Sequence, residues 1–215
     1  MATIYTIGHS TRTLEELVAA LQGHEICTLV DIRSFPASRR LPHFNRESLE
    51  VELPRHGIAY IWMKELGGRR KKIRNDSPNS DLRNDSFRNY ADYMLTEKFA
   101  QAIERLLEIA EEKAGPSTAR PPDPSAADGS ENLADAALGM TEVGGARNTA
   151  IMCAERVWFQ CHRMLVSDYL TAHGHTVVHI DDEKRPPREH KLMAEARLAD
   201  GKLVYDAQQL FQRHP

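Results

Sequence analysis

Thr149-Ala150-Ile151-Met152-Cys153-Ala154-Glu155-Arg156-Val157-Trp158-Phe159-Gln160-Cys161-His162-Arg163 is the stretch that decides the fold. Its first four residues read as a buried strand, and from about Cys161 the spacing turns helical. Two of the chain's three cysteines lie here with a carboxylate, an imidazole and two guanidinium groups. A strand handing over to a helix puts these thiols at the strand's carboxyl end, where open α/β sheets receive ligands. A helix N-terminus also favours an anion such as thiolate.

The same alternation recurs along the rest of the chain. Ile4-Tyr5-Thr6-Ile7 reads as a strand closed by Gly8-His9-Ser10, and Thr13 with Glu16 forms a capping box before Leu14, Leu17, Val18 and Leu21. Cys27 to Arg33 is a second strand, apolar until it ends in Asp31-Ile32-Arg33 and broken by Phe35-Pro36. Arg46 to His56 gives a short helix stopped by Gly57, then Ile58 to Trp62 a third strand closed by Leu66-Gly67-Gly68. Phe87, Tyr90, Ala91, Met94, Phe99, Ile103, Leu106, Leu107 and Ala110 mark one long helix or two consecutive ones. After Cys161 a helix runs to about Ala172, and Thr176 to Ile180 is another strand. Ala199-Asp200-Gly201-Lys202 between apolar pairs predicts a small hairpin. The expected fold is α/β: a mostly parallel open sheet with helices on both faces, a Rossmann-like three-layer arrangement, and the small C-terminal hairpin.

The 215 residues suit one such domain. Gly115 to Asn148, rich in Pro, Ala, Ser, Asp and Gly without periodicity, is expected to be a disordered insertion interrupting it. The formal charge of −3 originates there, so the remaining residues are close to neutral and demand neither nucleic acid nor an anionic membrane. No apolar run approaches the roughly 18–20 residues that span a bilayer, and Met1 to Thr6 lacks the pattern of a signal peptide. Three cysteines suit free thiols in a reducing cytoplasm better than a disulfide framework.

A parallel sheet would gather His9 and Ser10, Asp31 and Arg33, Gly67 and Gly68, Cys153 and Glu155, and His179 on one rim. Cys153 or Cys161 could be a nucleophile held as thiolate by the helix terminus and Arg163, with His162 as proton carrier. Against this, Cys153 also fits as a small buried hydrophobe, and Arg163 as an ion-pair partner of Glu155 or Asp31. Cys161 and His162, adjacent on a helix, would point about 100° apart and so are not expected to grip one metal ion. Metal binding across the rim by His9, Cys153 and His179 is the remaining metal arrangement. Gly8-His9-Ser10 could offer backbone N–H groups to an anion. Arg69-Arg70-Lys71-Lys72-Ile73-Arg74 could bind phosphate, although Asp76, Asp81 and Asp85 partly neutralise it and a solvated loop is the simpler reading.

Thr6-Ile7-Gly8-His9-Ser10, Leu29-Val30-Asp31-Ile32-Arg33 with Pro36, Leu66-Gly67-Gly68, Phe87 to Met94, Cys153-Ala154-Glu155 and Cys161-His162-Arg163 follow one another in an order that resembles the bacterial "domain of unknown function 488" family. The resemblance spans nearly the whole chain outside Gly115 to Asn148. It implies a signature set of His9, Ser10, Asp31, Arg33, Gly67, Gly68, Tyr90, Cys153, Glu155, Cys161, His162 and Arg163, and it supplies no substrate. A looser similarity to rhodanese-like domains rests on Asp31-Ile32-Arg33 and Met152-Cys153. Ala154-Glu155 stand where the sulfur-cradling loop would be, and a carboxylate there would repel a persulfide.

These readings converge on a cytoplasmic enzyme with a thiol-containing site acting on a small anionic or nucleotide-like substrate. In it Cys153, Cys161, His162 and Glu155 would do the chemistry, while His9, Ser10, Asp31, Arg33, Gly67, Gly68, Tyr90 and Arg163 would bind. A nucleic-acid-binding or regulatory module using residues 69–74, and a metal-dependent enzyme or sensor, are the alternatives. Neither a cofactor nor an oligomeric state has a signature in the chain.

Overall fold

The computed structural model describes residues 1–111, 148–181 and 186–206. Six strands form one sheet: β1 (Thr3–Gly8), β2 (Ile26–Asp31), β3 (Ala59–Trp62), β4 (Asn148–Cys153), β5 (Thr176–Ile180) and the short β6 (Arg188–Glu189), in the order β3-β2-β4-β1-β5-β6. All pairings are parallel except β5 with β6. The expected insertion lies outside the described residues except for Asn148, which opens β4.

The apolar strands bury both faces, as a parallel sheet requires. On one face Ile7, Leu29, Ala150, Met152 and Ile180 pack with α1 (Leu14–Gln22) and α2 (Arg46–Arg55), through Leu17, Leu21, Leu49 and Leu53. On the other, Ile4, Val30, Ile32, Ile151 and Val177 meet α3 (Asp85–Met94), α4 (Glu97–Glu111) and α5 (Arg163–Ala172), through Tyr90, Phe99, Leu106, Leu165 and Leu170. The alternation of Ile4 and Ile7, or Ile151 and Met152, between faces is the two-residue period of a strand.

Thr13 caps α1 reciprocally with Glu16, and Asn84 caps α3. The tail forms the expected hairpin, β7 (Ala196–Ala199) against β8 (Lys202–Tyr205), with Asp200 and Gly201 both at positive φ. Such backbone is what a two-residue hairpin turn needs. Among the described residues no helix is long and apolar enough to cross a membrane.

This topology positions the site. β2 and β4 are neighbours, yet β2 continues through α2 on one face to β3, while β4 continues through α5 on the other face to β5. The connections depart in opposite directions, which leaves a crevice at the carboxyl ends of the two strands.

Candidate functional site

Cys153 ends β4 and is 7% exposed. Its loop is held by an extension of the sheet's own ladder: the His9 and Ser10 N–H groups donate to the carbonyls of Cys153 and Ala154, 3.0 and 2.9 Å away. Those two N–H groups are thereby engaged within the protein. The close approach depends on Gly8, because a Cβ there would lie 1.9 Å from the Glu155 carbonyl oxygen.

The chain then makes a 3-10 turn over Trp158–Gln160, and Cys161 follows in extended backbone (φ −140°, ψ 173°). His162 is the N-cap of α5. Cys161 therefore precedes the helix, so the divergence expected of two adjacent helical residues does not arise. The two thiols and the His162 imidazole converge instead, with one donor atom from each lying within 4.8 Å of the others, all three residues buried. Two sulfurs and a nitrogen at this spacing are also a set able to hold a soft cation.

The His162 ring is oriented by the backbone. Nε2 lies 3.0 Å from the Ile32 carbonyl oxygen, to which it can only donate. In the neutral imidazole Nδ1 is then the acceptor, and it faces the Cys153 Sγ at 3.9 Å. Burial keeps the ring neutral by pushing its pKa down. Gly68 gives it room, since a Cβ at that position would fall 2.4 Å from Nδ1.

The Cys153 thiol is drawn down to about 7, first by a hydrogen bond from Cys161, then, against the opposing effect of burial, by the Arg163 charge and the N–H groups of Glu155 and Ala154. Cys161 moves strongly the other way, because its proton is the one shared with Cys153 and because it is buried. Above about pH 7 the pair thus holds one proton, on Cys161. Proximity to the positive end of α5 acts in the same direction on the thiolate.

Arg163 is almost fully buried, and its role is local. Nε donates to the Cys161 Sγ at 3.3 Å, and Nη2 donates to the carbonyl oxygens of Glu155 and Arg156. It ties the thiol loop to the helix, through the Glu155 backbone rather than the Glu155 carboxylate.

Asp31 and Arg33 form a buried pair, with Arg33 Nε donating to the carboxylate at 2.9 Å. The Tyr60 hydroxyl donates to Asp31 at 2.6 Å, and Arg33 also reaches the Phe44 carbonyl. His9 stacks on Phe44, with Nδ1 on the Ser10 carbonyl and Nε2 facing Arg33 Nη1 at 3.2 Å. Burial, reinforced by the Arg33 charge, lowers its pKa to about 4. Both His9 nitrogens are committed here, away from Cys153.

His179 is likewise committed. Its ring stacks on Trp158 at 4.1 Å, with Nδ1 at 2.8 Å from the Thr6 hydroxyl and Nε2 at 2.9 Å from His190 Nδ1. His190 Nε2 donates to Asp168, which also accepts from the Met193 N–H and the Tyr205 hydroxyl. The structure therefore does not bring His9, Cys153 and His179 together. A buried chain from Thr6 to Tyr205 binds the C-terminal hairpin to the sheet, and no local pattern in the sequence announces it.

A cavity of about 650 Å³ opens over the thiols. Cys153, Cys161, His162, Glu155, Gly68, Tyr90 and Arg33 line it, together with Phe87, with Arg69 from the basic run, and with Ser34, Phe35 and Gln160, which sequence reasoning had not singled out. Tyr90 is locked by its hydroxyl to the Leu66 carbonyl, while Gly67 packs against Ser34. From the basic loop, Arg69 leans toward the exposed Phe35 ring and Arg70 stacks on Tyr93, whereas Arg74 lies 3.5 Å from Asp76.

A family model described as "Domain of unknown function DUF488" matches residues 13–117. That span contains Asp31, Arg33, Gly67, Gly68 and Tyr90 and ends before the thiol loop. No curated protein and no solved structure matches the chain.

Proposed function

Through residues 13–117 the chain belongs to the family described as Domain of unknown function DUF488, and from that premise we propose that it is a thiol-dependent enzyme acting on a small anionic or nucleotide-like substrate. Cys153 is the nucleophile, Cys161 the hydrogen-bond donor that keeps it as thiolate, and His162 Nδ1 the proton carrier. Arg69, exposed at the pocket and without an ion pair among the described residues, supplies the charge for an anion. Asp31, Arg33, His9 and Arg163 position the loops. Glu155 borders the pocket and helps select what enters.

The observation that carries this reading is the convergence of Cys153, Cys161 and His162 at the wall of an open cavity. Catalytic thiols need such a partnered and accessible setting, whereas structural thiols do not.

Sub-stoichiometric iodoacetamide at neutral pH, followed by peptide mass mapping, tests it. Exposure alone favours label on the partly buried Cys27, while thiolate character favours Cys153. Label on Cys27 and not on Cys153 overturns the reading. Stoichiometric metal in protein purified without an affinity tag would shift it to a metal centre on the same three residues. Retention of nucleic acid that weakens steeply with salt would shift it to the basic loop.

A further inference from the structure

The thiol site contains a second sulfur that nucleophilic catalysis alone does not require. We propose that Cys153 and Cys161 are the attacking and resolving thiols of a disulfide-exchange cycle, and that the substrate is a small anionic disulfide. The inference rests on the thiol-enzyme reading above and names the chemistry of that same site.

Three observations support it. The two Sγ atoms lie within 4.8 Å of each other, and neither is in a disulfide in this structure. Closing to a bond of about 2 Å needs a shift of less than about 3 Å, and Cys161 sits in extended backbone ahead of α5 rather than inside it. The cavity, at about 650 Å³, is far larger than a lone oxidant such as peroxide would fill, and it carries the Arg69 guanidinium at its wall.

The electrostatics order the two steps. While Cys153 is a thiolate, its charge and its hydrogen bond hold the proton on Cys161. Once Cys153 is in a mixed disulfide that charge is gone, and the Arg163 Nε 3.3 Å from Cys161 Sγ then favours the Cys161 thiolate. The resolving thiol is thereby activated only after the first exchange. An attacking thiol with its pKa near ambient pH is the optimum for such exchange.

Cys153 thiolate attacks one sulfur of RS–SR, the S–S bond breaks, and RS⁻ leaves into the open cavity, where it takes a proton from water. Cys161 then gives its proton to His162 and attacks Cys153 Sγ, and the second RS⁻ leaves with that proton. The substrate is reduced to two RSH and the protein is oxidised to its internal disulfide. Two external thiols restore the dithiol, becoming RSSR.

Oxidised glutathione, as an anionic disulfide probe, tests this by intact mass without reductant. The wild-type protein is expected to lose two hydrogens and to bridge the Cys153 and Cys161 peptides. Cys161→Ser is expected to accumulate one glutathione on Cys153. A wild-type protein that stops at the mixed disulfide, or bridges through Cys27, overturns the resolving role of Cys161. No reaction with the probe, in protein whose Cys153 still alkylates at neutral pH, overturns the inference and leaves the thiol-enzyme reading standing. If Cys153 is inert to both reagents, both fall. The wild-type arm needs no variant, so a misfolded Cys161→Ser protein does not protect the idea.

Discussion

Gly68 and His162 touch so closely that a side chain on the first would occupy the space of the second: a Cβ at Gly68 would sit 2.4 Å from His162 Nδ1. The ring cannot simply retreat. Its other nitrogen is held by the Ile32 carbonyl, and Tyr90 lies 5.2 Å away on its flank. Gly68→Ala is therefore expected to destabilise the protein by about 1–3 kcal/mol, the usual cost of overpacking. Alkylation of Cys153 at neutral pH should slow, because a ring pushed off Gly68 intrudes on the thiol pair, whose mutual hydrogen bond lowers the Cys153 pKa. Urea melts and labelling rates measure the two effects, and an unchanged rate would show that His162 placement is irrelevant to the thiol.

Arg163 is a buried charge satisfied by two backbone carbonyls and the Cys161 sulfur. Replacing it with Met leaves the Glu155 and Arg156 carbonyls without this donor and removes the cation beside Cys161. A loss of about 3 kcal/mol is expected, in the range for breaking such a buried arrangement. The Cys153 pKa should rise, since Arg163 is one of the groups lowering it. Chemical denaturation and a pH series of alkylation report the two outcomes separately.

Acid should weaken the fold in a defined window. Burial holds His9 neutral with a pKa near 4 and His179 near 3, against an ordinary 6.5. The unfolded chain binds those protons first as pH falls. Stability is thus flat above about pH 7, declines from 6.5 toward 4, and levels off below the folded values. At about 1.4 kcal/mol per tenfold change in protonation, His9 alone accounts for about 3 kcal/mol of the decline. Urea midpoints between pH 8 and pH 4 measure it, and a midpoint constant across that range would contradict the neutral, buried assignment of both rings.

Asp168 separates the structural histidines from the site. Asp168→Asn places an amide where His190, Met193 and Tyr205 all donate. Leaving a buried donor unmet costs about 1–3 kcal/mol, so a loss at the upper end of that range is expected. The pH dependence of Cys153 alkylation should stay as in the wild type, because the Asp168 carboxylate makes no contact with the thiol pair.

The alternation of strands and helices was legible because apolar runs, capping residues and terminal glycines agree along the chain. β6 was not, since two exposed polar residues, Arg188 and Glu189, carry no strand pattern of their own. The rim was read in outline from Cys153, His162 and Gly68, all of which line the pocket. What failed was local geometry. Cys161 and His162 were placed on a helix, yet the turn over Trp158–Gln160 delays the helix until Arg163 and lets both face Cys153. His9 and His179 looked available at strand ends, but His9 is held by its neighbour Ser10 and by Arg33, and His179 by His190 and by Thr6, 173 residues away. A hydrogen bond between residues as distant as Thr6 and His179 leaves no signature in spacing.

Cys153 titrates near 7 because Cys161 carries the shared proton. The rate of Cys153 alkylation against pH, read at its own peptide by mass, tests it most directly. A midpoint near 7 with a plateau above it is the predicted result, moving up in Cys161→Ala, which removes the donor. A rate still climbing at pH 9.0, the ordinary value for a thiol, would contradict the account.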